Sequence, residues 1–380
     1  MPDFNGTPFF DNHSHRIDVS GQPIDRTRLA IAFLHGWRPA GYGEDAAVTE
    51  AFNEQIESMG VVKVLVKLLA DRFGCAAKIE DVVRERNARA AADGYAYAKE
   101  LYEEAGVIGE MVDDGAPFGD PALNCFPTKL YRLFQMDPCM RALLAETESF
   151  RELKARFDET VREKIREGFA GIKSHVLELR FQPLRVIEDA EAENCFAAAK
   201  AGEQNAFEDV YLALFEHVLV LTQELDFTVH VHTGCTGNPH DLKSNTDPFA
   251  LVPLMKDPRF SSAHIVLLHA AFPEIRHAAL LVHGYPNVWM DIGWTLPWVS
   301  LNMEQIVTEV LGIAPHGKVM FGTGQHDLPE MCWMAAKVAK NALQAVLQHM
   351  VDRGLLSEEQ AQETGEQLLY KNALRLYGGE

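Results

Sequence analysis

Short apolar runs recur along the chain and are separated by stretches that carry apolar residues at helical spacing. The runs have the length and the near-continuous hydrophobicity of buried parallel strands. They lie at residues 8–15, 107–115, 129–137, 169–175, 227–234, 264–273, 287–294 and 318–324. Amphipathic helices are predicted between them, for example at residues 150–167 and 209–225. Alternating strands and helices predict an α/β fold, and eight such units predict a closed (β/α)8 barrel, the TIM barrel.

An open, doubly wound sheet is the competing arrangement. Such a sheet usually carries a glycine-rich phosphate turn after its first strand, and residues 11–18, DNHSHRID, contain none. Residues 18–106 are too long for one connection and have helical periodicity. We therefore predict one barrel domain over residues 1–380, with a helical insertion at 18–106 that serves as a lid or as a structural elaboration.

Composition and charge narrow the range of partners. The chain has 380 residues and a net charge of −20, which argues against nucleic acid and anionic membranes as partners. Six scattered cysteines without a C-x-x-C pair are typical of a reducing cytosol. Because neither a secretory signal nor an apolar span of about 18 residues is evident, we expect a cytoplasmic protein with a small-molecule substrate. Assembly into a homo-oligomer is compatible with this pattern.

The first apolar run ends in an unusual D-x-H-x-H sequence formed by Asp11, His13 and His15. Side chains two residues apart on a strand point to the same face, so the three are expected to face one way. Two imidazoles on one face can bind a single metal ion, and neutral imidazole is a common metal ligand. The pattern therefore predicts a metal site at the end of the first strand.

Further histidines end other predicted strands. His232 ends the fifth run and His269 follows the sixth. Because the active site of a barrel forms at the carboxyl ends of its strands, these side chains should meet His13 and His15 there. His230 has the same strand parity as His232 but lies about 6.6 Å deeper. It is a candidate substrate contact or, one layer down, a hydrogen-bonded interior histidine.

Residues of the seventh predicted strand and its loop complete this set. Asp291 is expected to support a ligating histidine, because such histidines usually donate their second N–H to a carboxylate or carbonyl. Trp294 and Trp298 follow the strand and either form a wall of an apolar substrate pocket or pack within the loop. The chain has no G-x-S-x-G sequence, which argues against a serine hydrolase elbow.

Four motifs together carry a family resemblance. They are D-x-H-x-H on the first strand, HTG after the fifth, LLHA on the sixth and FGT…H..PE after the eighth. In this combination the sequence resembles the amidohydrolase superfamily, and most of all its amidohydrolase 2, nodulin-like branch. The ending NALRLYG at residues 372–378 is similar to that branch as well. The resemblance implies a metal-dependent TIM-barrel hydrolase.

The resemblance also implies roles for individual residues. His13 and His15 match the metal-binding pair of the first strand. His232 matches a histidine that binds the metal or a group beside it, and His269 matches a second metal ligand or a substrate contact. His269 is in addition a catalytic candidate. Lys173, in GIKS, matches a position where some members have a carbamylated lysine that bridges two metals and others a lysine that faces the substrate. We expect a catalytic or substrate-binding lysine rather than a bridge.

One position departs from the family pattern. The eighth strand of the superfamily normally ends in an aspartate that binds metal and accepts a proton, and Gly324 stands there. The change is a deliberate inactivation, a rewiring onto His326 or Asp327, or a natural loss of catalysis. Because a base removed without a substitute costs about 10²–10⁴-fold in rate, we predict that the protein as given is weak or inactive and that Gly324→Asp raises metal-dependent hydrolysis by at least that order. Brisk turnover that Gly324→Asp slows would instead indicate the rewired site.

The leading hypothesis is a metal-dependent hydrolase that cleaves an amide or related C–N bond of a small molecule. The expected cofactor is a divalent metal ion, Zn²⁺ with Mn²⁺ as the alternative. The alternative reaction is non-oxidative decarboxylation of an aromatic or unsaturated acid, which an assay for released CO₂ would detect. The alternative of another class is a non-catalytic metal-binding barrel, for which Gly324 is the argument.

Overall fold

A computed structural model describes residues 2–34, 38–180, 182–235, 246–293 and 295–378. Its centre is a nine-stranded sheet in which each described pairing is parallel, in the order β8-β7-β6-β5-β4-β3-β2-β1-β9. The strands are β1 Phe9–Ile17, β2 Val107–Val112, β3 Lys129–Gln135, β4 Gly171–Ser174, β5 Thr228–His232, β6 Ile265–Leu268, β7 Val288–Ile292, β8 Val319–Phe321 and β9 Gln325–Asp327. The eight predicted strands are confirmed, and the eighth unit is divided into β8 and β9.

The sheet closes on its first strand. The amides of Thr323 and Gly324, in the turn between β8 and β9, donate to the carbonyl oxygen of His13 at 3.2 and 2.7 Å. β9 then pairs with the outer end of β1. The predicted α/β barrel is therefore confirmed.

Helices surround the barrel and connect its strands. They are α1 Arg26–Leu34, α2 Ala46–Gln55, α3 Gly60–Phe73, α4 Ile79–Ala92, α5 Gly94–Ala105, α6 Met136–Glu146, α7 Phe150–Glu167, α8 Asp189–Lys200, α9 Gln204–Leu225, α10 Val252–Met255, α11 Ile275–Gly284, α12 Thr295–Trp298, α13 Met303–Leu311, α14 Glu330–Asp352, α15 Glu358–Glu366 and α16 Asn372–Tyr377. Helices α1 to α5 lie between β1 and β2, where the sequence predicts a helical insertion. None of the helices in the described ranges is long and apolar enough to cross a membrane.

The barrel interior is a packed core. Its buried apolar side chains form one cluster, against which Tyr370 and Tyr377 from the C-terminal region also pack. The cluster consists of Phe10, Met111, Leu133, Val266, Leu268, Met320 and Ala373. Side chains therefore fill the barrel, and polar groups collect at the carboxyl ends of the strands.

A buried ion pair joins the insertion to the barrel. Glu330 begins α14, and its Oε1 accepts from Arg86 Nε on α4 at 2.8 Å and from the Tyr97 hydroxyl on α5 at 2.9 Å. The side chains of Arg86 and Glu330 are 4% and 0% exposed. The pair fixes the insertion against the segment that follows β9.

Removal of the arginine should test this connection. Arg86→Leu leaves the Glu330 carboxylate buried without its cation, so we expect the free energy of unfolding to fall by about 3–5 kcal/mol in urea titrations. The matched control is Arg84→Leu on the same helix, whose guanidinium is 63% exposed and pairs with Asp81. That change should leave the free energy of unfolding nearly unchanged, because exposed ion pairs contribute little to stability. Equal losses in the two variants would contradict a structural role for the buried pair.

Candidate metal centre

Histidines from three strands meet at the carboxyl end of the barrel. The ring centre of His13 lies 4.9 Å from that of His15 and 5.0 Å from that of His269. The ring of His232 lies 4.6 Å from that of His269. His13, His232 and His269 are buried, and His15 is half-buried. The structure therefore brings together the four histidines that the sequence singles out.

The backbone of β1 explains how adjacent residues reach different sides of the sheet. The pairing of β1 with β2 is irregular between Asp11 and Ser14. Asp11 consequently points away from the histidines, toward Glu110 and Cys332 in the layer between the sheet and α14. The prediction that Asp11 shares a face with His13 and His15 is therefore wrong.

Three residues form what we call the strand-one group: His13, His15 and Asp113. Each offers one ligand atom, and these atoms lie within 4.8 Å of one another. His15 Nδ1 donates to the carbonyl oxygen of Asp113 at 2.5 Å, which leaves the lone pair of the neutral ring on Nε2. His13 Nδ1 is buried and has no hydrogen-bond partner among the described residues. Burial, and then the charge of Lys173, hold the pKa of His13 well below its usual range, so the ring is neutral.

Asp113 follows β2 and is paired with Lys173 of β4. Lys173 Nζ donates to Asp113 Oδ2 at 3.0 Å, and Gln135 Nε2 donates to Oδ1 at 2.7 Å. Burial acts to raise the pKa of Asp113, but the charge of Lys173, together with His15, His175 and the hydrogen bond from Gln135, outweighs it and the pKa lies below its usual value. The carboxylate is therefore ionised. The pairing fits a lysine that positions Asp113 better than one that bridges two metals.

The bend at Gly324 brings His326 into the centre. Gly324 has a φ of +58°, a conformation that glycine adopts without strain, and β9 begins directly after it. The ring of His326 lies 3.8 Å from that of His15, and His326 Nδ1 donates to the Gly324 carbonyl oxygen at 2.7 Å. Burial, followed by the nearby His15, lowers the pKa of His326 to about 2. The alternative of a site rewired onto His326 is therefore favoured over Asp327.

Other predicted site residues lie elsewhere. The carboxylate of Asp327 is 53% exposed and pairs with Arg28 at 3.0 Å. Trp298 packs edge to face on Phe272, with ring centres 5.6 Å apart. Trp294 lies outside the described residues. The Asp327 carboxylate is thus paired with Arg28, and the Trp298 ring packs within its loop region on Phe272.

His230 belongs to the barrel interior. It is fully buried, and its Nε2 lies 3.0 Å from the hydroxyl oxygen of Thr228 and 3.3 Å from that of Tyr377. Burial, and then the charge of Lys173, lower its pKa to about 3. These contacts match the interior histidine of the two sequence alternatives better than the substrate contact.

Asp291 supports the backbone of His269. His269 has a φ of +69°, and its amide donates to Asp291 Oδ1 at 2.7 Å. Asn12 donates from Nδ2 to Asp291 Oδ2, also at 2.7 Å. The sequence predicts a hydrogen bond to the histidine ring, whereas the carboxylate accepts the N–H of the left-handed backbone. Asp291 thereby stabilises a conformation that a residue with a side chain rarely adopts.

Sequence reasoning missed three residues at the mouth: Asp113, His175 and Glu178. His175, Glu178 and His232 form a second group whose ligand atoms lie within 4.8 Å of one another. Asp113 and His175 follow the second and fourth strands directly. The strand-end rule that singled out His269 would have found both, whereas Glu178 lies in a loop and carries no such signal.

The comparison with family models identifies the chain. The model described as amidohydrolase matches residues 151–379, which is more than half of the chain. The chain belongs to the amidohydrolase family. The resemblance of its motifs is thereby confirmed.

One curated relative of this chain is protein fluG of Emericella nidulans. The two are 35% identical over 151 residues, a match that covers 39% of this chain and 17% of protein fluG. The matched region is thus less than a fifth of that relative's length. The match supports an evolutionary relationship over that region and does not extend to the rest of protein fluG.

Solved structures share the fold of this chain. A protein of Lactobacillus casei ATCC 334 assigned as a metal-dependent hydrolase has a TM-score of 0.81 at 19% identity, covering 100% of this chain and 98% of that one. The uronate isomerase of Thermotoga maritima has a TM-score of 0.68 at 14% identity, covering 97% and 94%. The glucuronate isomerase of Caulobacter crescentus has a TM-score of 0.66 at 15% identity, covering 98% and 92%. At these identities the comparison shows the fold alone.

The strand-one group can be tested by removing its two rings. His13→Ala/His15→Ala takes away two imidazole ligands at strand ends, so the zinc content should fall by one equivalent per chain while the circular dichroism of the barrel is retained. The matched control, His283→Ala, changes an exposed histidine on α11 and should leave the zinc content unchanged. Unchanged zinc in the double variant would contradict the assignment.

The rewired strand-eight position gives a second test. The aspartate of Gly324→Asp would have to adopt the positive φ of this glycine and would strain the bend that carries His326, so we now expect this variant to lower kcat/KM, in contrast to the prediction from the sequence. His326→Ala should lower it at least about tenfold, because the ring beside His15 is lost. A rise in activity in Gly324→Asp would show that the missing carboxylate limits the enzyme and that His326 does not replace it.

Proposed function

We propose that this amidohydrolase is a metal-dependent hydrolase that cleaves an amide or related C–N bond of a small molecule. The observation that carries the proposal is the strand-one group, in which His13, His15 and Asp113 offer two imidazoles and one ionised carboxylate within 4.8 Å. The buried, unpartnered Nδ1 of His13 fits a metal ligand. This donor set suits Zn²⁺, with Mn²⁺ as the alternative.

The strand-one group and the side chains around it have separate roles in this proposal. A divalent cation held by the strand-one group would supply Lewis acidity toward a carbonyl and lower the pKa of a water molecule to about 7. Lys173 keeps Asp113 ionised and oriented through the 3.0 Å ion pair. His326 donates its Nδ1 proton to the Gly324 carbonyl, so the lone pair of the neutral ring is on Nε2. His269, whose amide is held by Asp291, lies beside His13, with ring centres 5.0 Å apart.

The carboxylate that Gly324 cannot provide comes, in this proposal, from Asp113 at the end of β2. Its pKa is lowered by Lys173, so it is a permanent anion and acts as a ligand more readily than as a proton acceptor. A barrel without a strand-eight aspartate therefore still has one negative ligand beside two histidines. This ligand set of one anion and two imidazoles supports an enzyme over a non-catalytic barrel.

Assays of three products test the reaction type. Zinc-loaded protein should release amines from a panel of small amides, and metal-free protein should not. Asp113→Asn should lower kcat/KM by at least about tenfold, since the negative ligand is lost while its shape is kept. The control Asp114→Asn removes the neighbouring carboxylate, which pairs with Arg132, and should have a smaller effect. Release of CO₂ from carboxylic acids, or isomerisation of uronic acids, without amine release would overturn the hydrolase assignment.

A further inference from the structure

Helix α16 is anchored at the amino end of the barrel, on the side opposite the metal centre. Asn372, its first residue, is buried, and the Nδ2 atom donates to the carbonyl oxygens of His316 and Val319 at 2.8 and 2.7 Å. Val319 is the first residue of β8. The helix therefore has a fixed position, and its last residue, Tyr377, packs against the interior cluster of the barrel.

The ring of Tyr377 lies among residues of the barrel interior. It stacks with the rings of Phe10 and His230, with ring centres 5.9 Å apart in both pairs. Its hydroxyl donates to Asn12 Oδ1 at 2.5 Å and lies 3.3 Å from His230 Nε2. The hydroxyl is thus the polar end of a stacked ring, and Asn12 accepts its shorter hydrogen bond.

The side chain of Asn12 joins Tyr377 to Asp291. Asn12 is fully buried, and its Nδ2 donates to Asp291 Oδ2 at 2.7 Å. A reversed amide would bring its oxygen against the carboxylate, so the two partners fix the orientation of Asn12. Without the hydroxyl of Tyr377, the buried oxygen of Asn12 would lose this donor, which is unfavourable where water cannot replace it.

Asp291 in turn holds a strained turn at the metal centre. Three successive residues after β6, His269, Ala270 and Ala271, have φ values of +69°, +52° and +51°. Residues with side chains rarely adopt such values and keep them only where the surrounding structure fixes them. The amide of His269 donates to Asp291 Oδ1 at 2.7 Å, and the ring of His269 lies beside that of His13. The orientation of this imidazole therefore depends on Asp291.

We propose that Tyr377 is a positioning residue of the metal centre, which acts through Asn12 and Asp291 on the backbone of His269. Because it orients a side chain of the same site, this role rests on the proposed function. The hydroxyl keeps the Asn12 amide in the orientation that donates to Asp291, and Asp291 keeps His269 in its left-handed conformation. The strand-one group is not altered when the hydroxyl is lost, so turnover should fall while the cation stays bound.

Kinetics of zinc-loaded Tyr377→Phe test the hydroxyl alone. The ring and its stacking on Phe10 remain, so we expect kcat for a cleaved amide to fall about tenfold while KM and the zinc content stay unchanged. The matched control is Tyr370→Phe, which removes a hydroxyl from another tyrosine packed on the interior cluster and should keep kcat. An unchanged kcat in Tyr377→Phe, or an equal loss in both variants, would overturn the proposal.

A double-mutant cycle separates positioning from a general loss of stability. If Tyr377 acts through Asp291, adding Tyr377→Phe to Asp291→Asn should lower kcat no further than Asp291→Asn alone. Losses that multiply in the double variant would overturn the proposal, because they would show two independent effects.

A measurement without turnover keeps the test independent of the reaction. The ¹³C shift of the His269 Cα atom, recorded on ¹³C-histidine-labelled protein, reports the backbone conformation of this residue. It should move in Tyr377→Phe and stay in Tyr370→Phe, and an unmoved shift in Tyr377→Phe would overturn the proposal. If the shift moves as expected but no amide is cleaved by the unaltered protein, the proposed hydrolysis fails and the positioning of His269 by Tyr377 stands.

Discussion

The hydrogen bonds from Thr323 and Gly324 to the carbonyl oxygen of His13 are the constraint on which the site depends. They join the last strands of the barrel to the first at His13, whose ring lies beside those of His15 and His269. Donation from two successive amides to one carbonyl requires a sharp bend, and Gly324 provides it with a φ of +58°. The glycine that permits this bend leaves the position without a carboxylate. The bend in turn brings the ring of His326 beside that of His15.

Charge at the mouth is balanced locally, whatever the net charge of the chain. Lys173 and Asp113 are 2% and 1% exposed at their side chains, and each charge compensates the other. Around this pair, burial holds the pKa values of His13, His230 and His269 below their usual range. These three buried imidazoles are therefore neutral beside the Asp113 carboxylate, and neutral imidazole is the form that binds a metal ion. A chain with a charge of −20 overall can still have a mouth of this kind.

Much of the fold could be predicted because hydrophobic periodicity is local. The eight strands and helix α7 lie where apolar runs and helical spacing indicate them, and the strand-end rule brought His13, His15, His232 and His269 together. Departures from regular geometry could not be predicted. The irregular pairing after Asp11 turns that carboxylate to the far side of the sheet.

Contacts between residues that are far apart in the sequence could not be predicted either. Lys173 is 60 residues from Asp113, and no local pattern indicates that the two form an ion pair. Glu178 reaches His232 from a loop whose path depends on tertiary contacts. The role of Asp291 depends on the left-handed conformation of His269, which the apolar run before it predicted as strand. Each of these residues is visible in the sequence, but its partner is set by the closed barrel.

The most direct test of the central claim is the anomalous scattering of zinc in crystals of the zinc-loaded protein. The claim predicts an anomalous peak bounded by His13, His15 and Asp113, with the Asp113 carboxylate facing the ion and His326 still beside His15. A peak coordinated by His13 together with His232 and His269, while Asp113 contacts only Lys173 and Gln135, would contradict it. The carboxylate of β2 would then have no part in replacing the aspartate that Gly324 lacks.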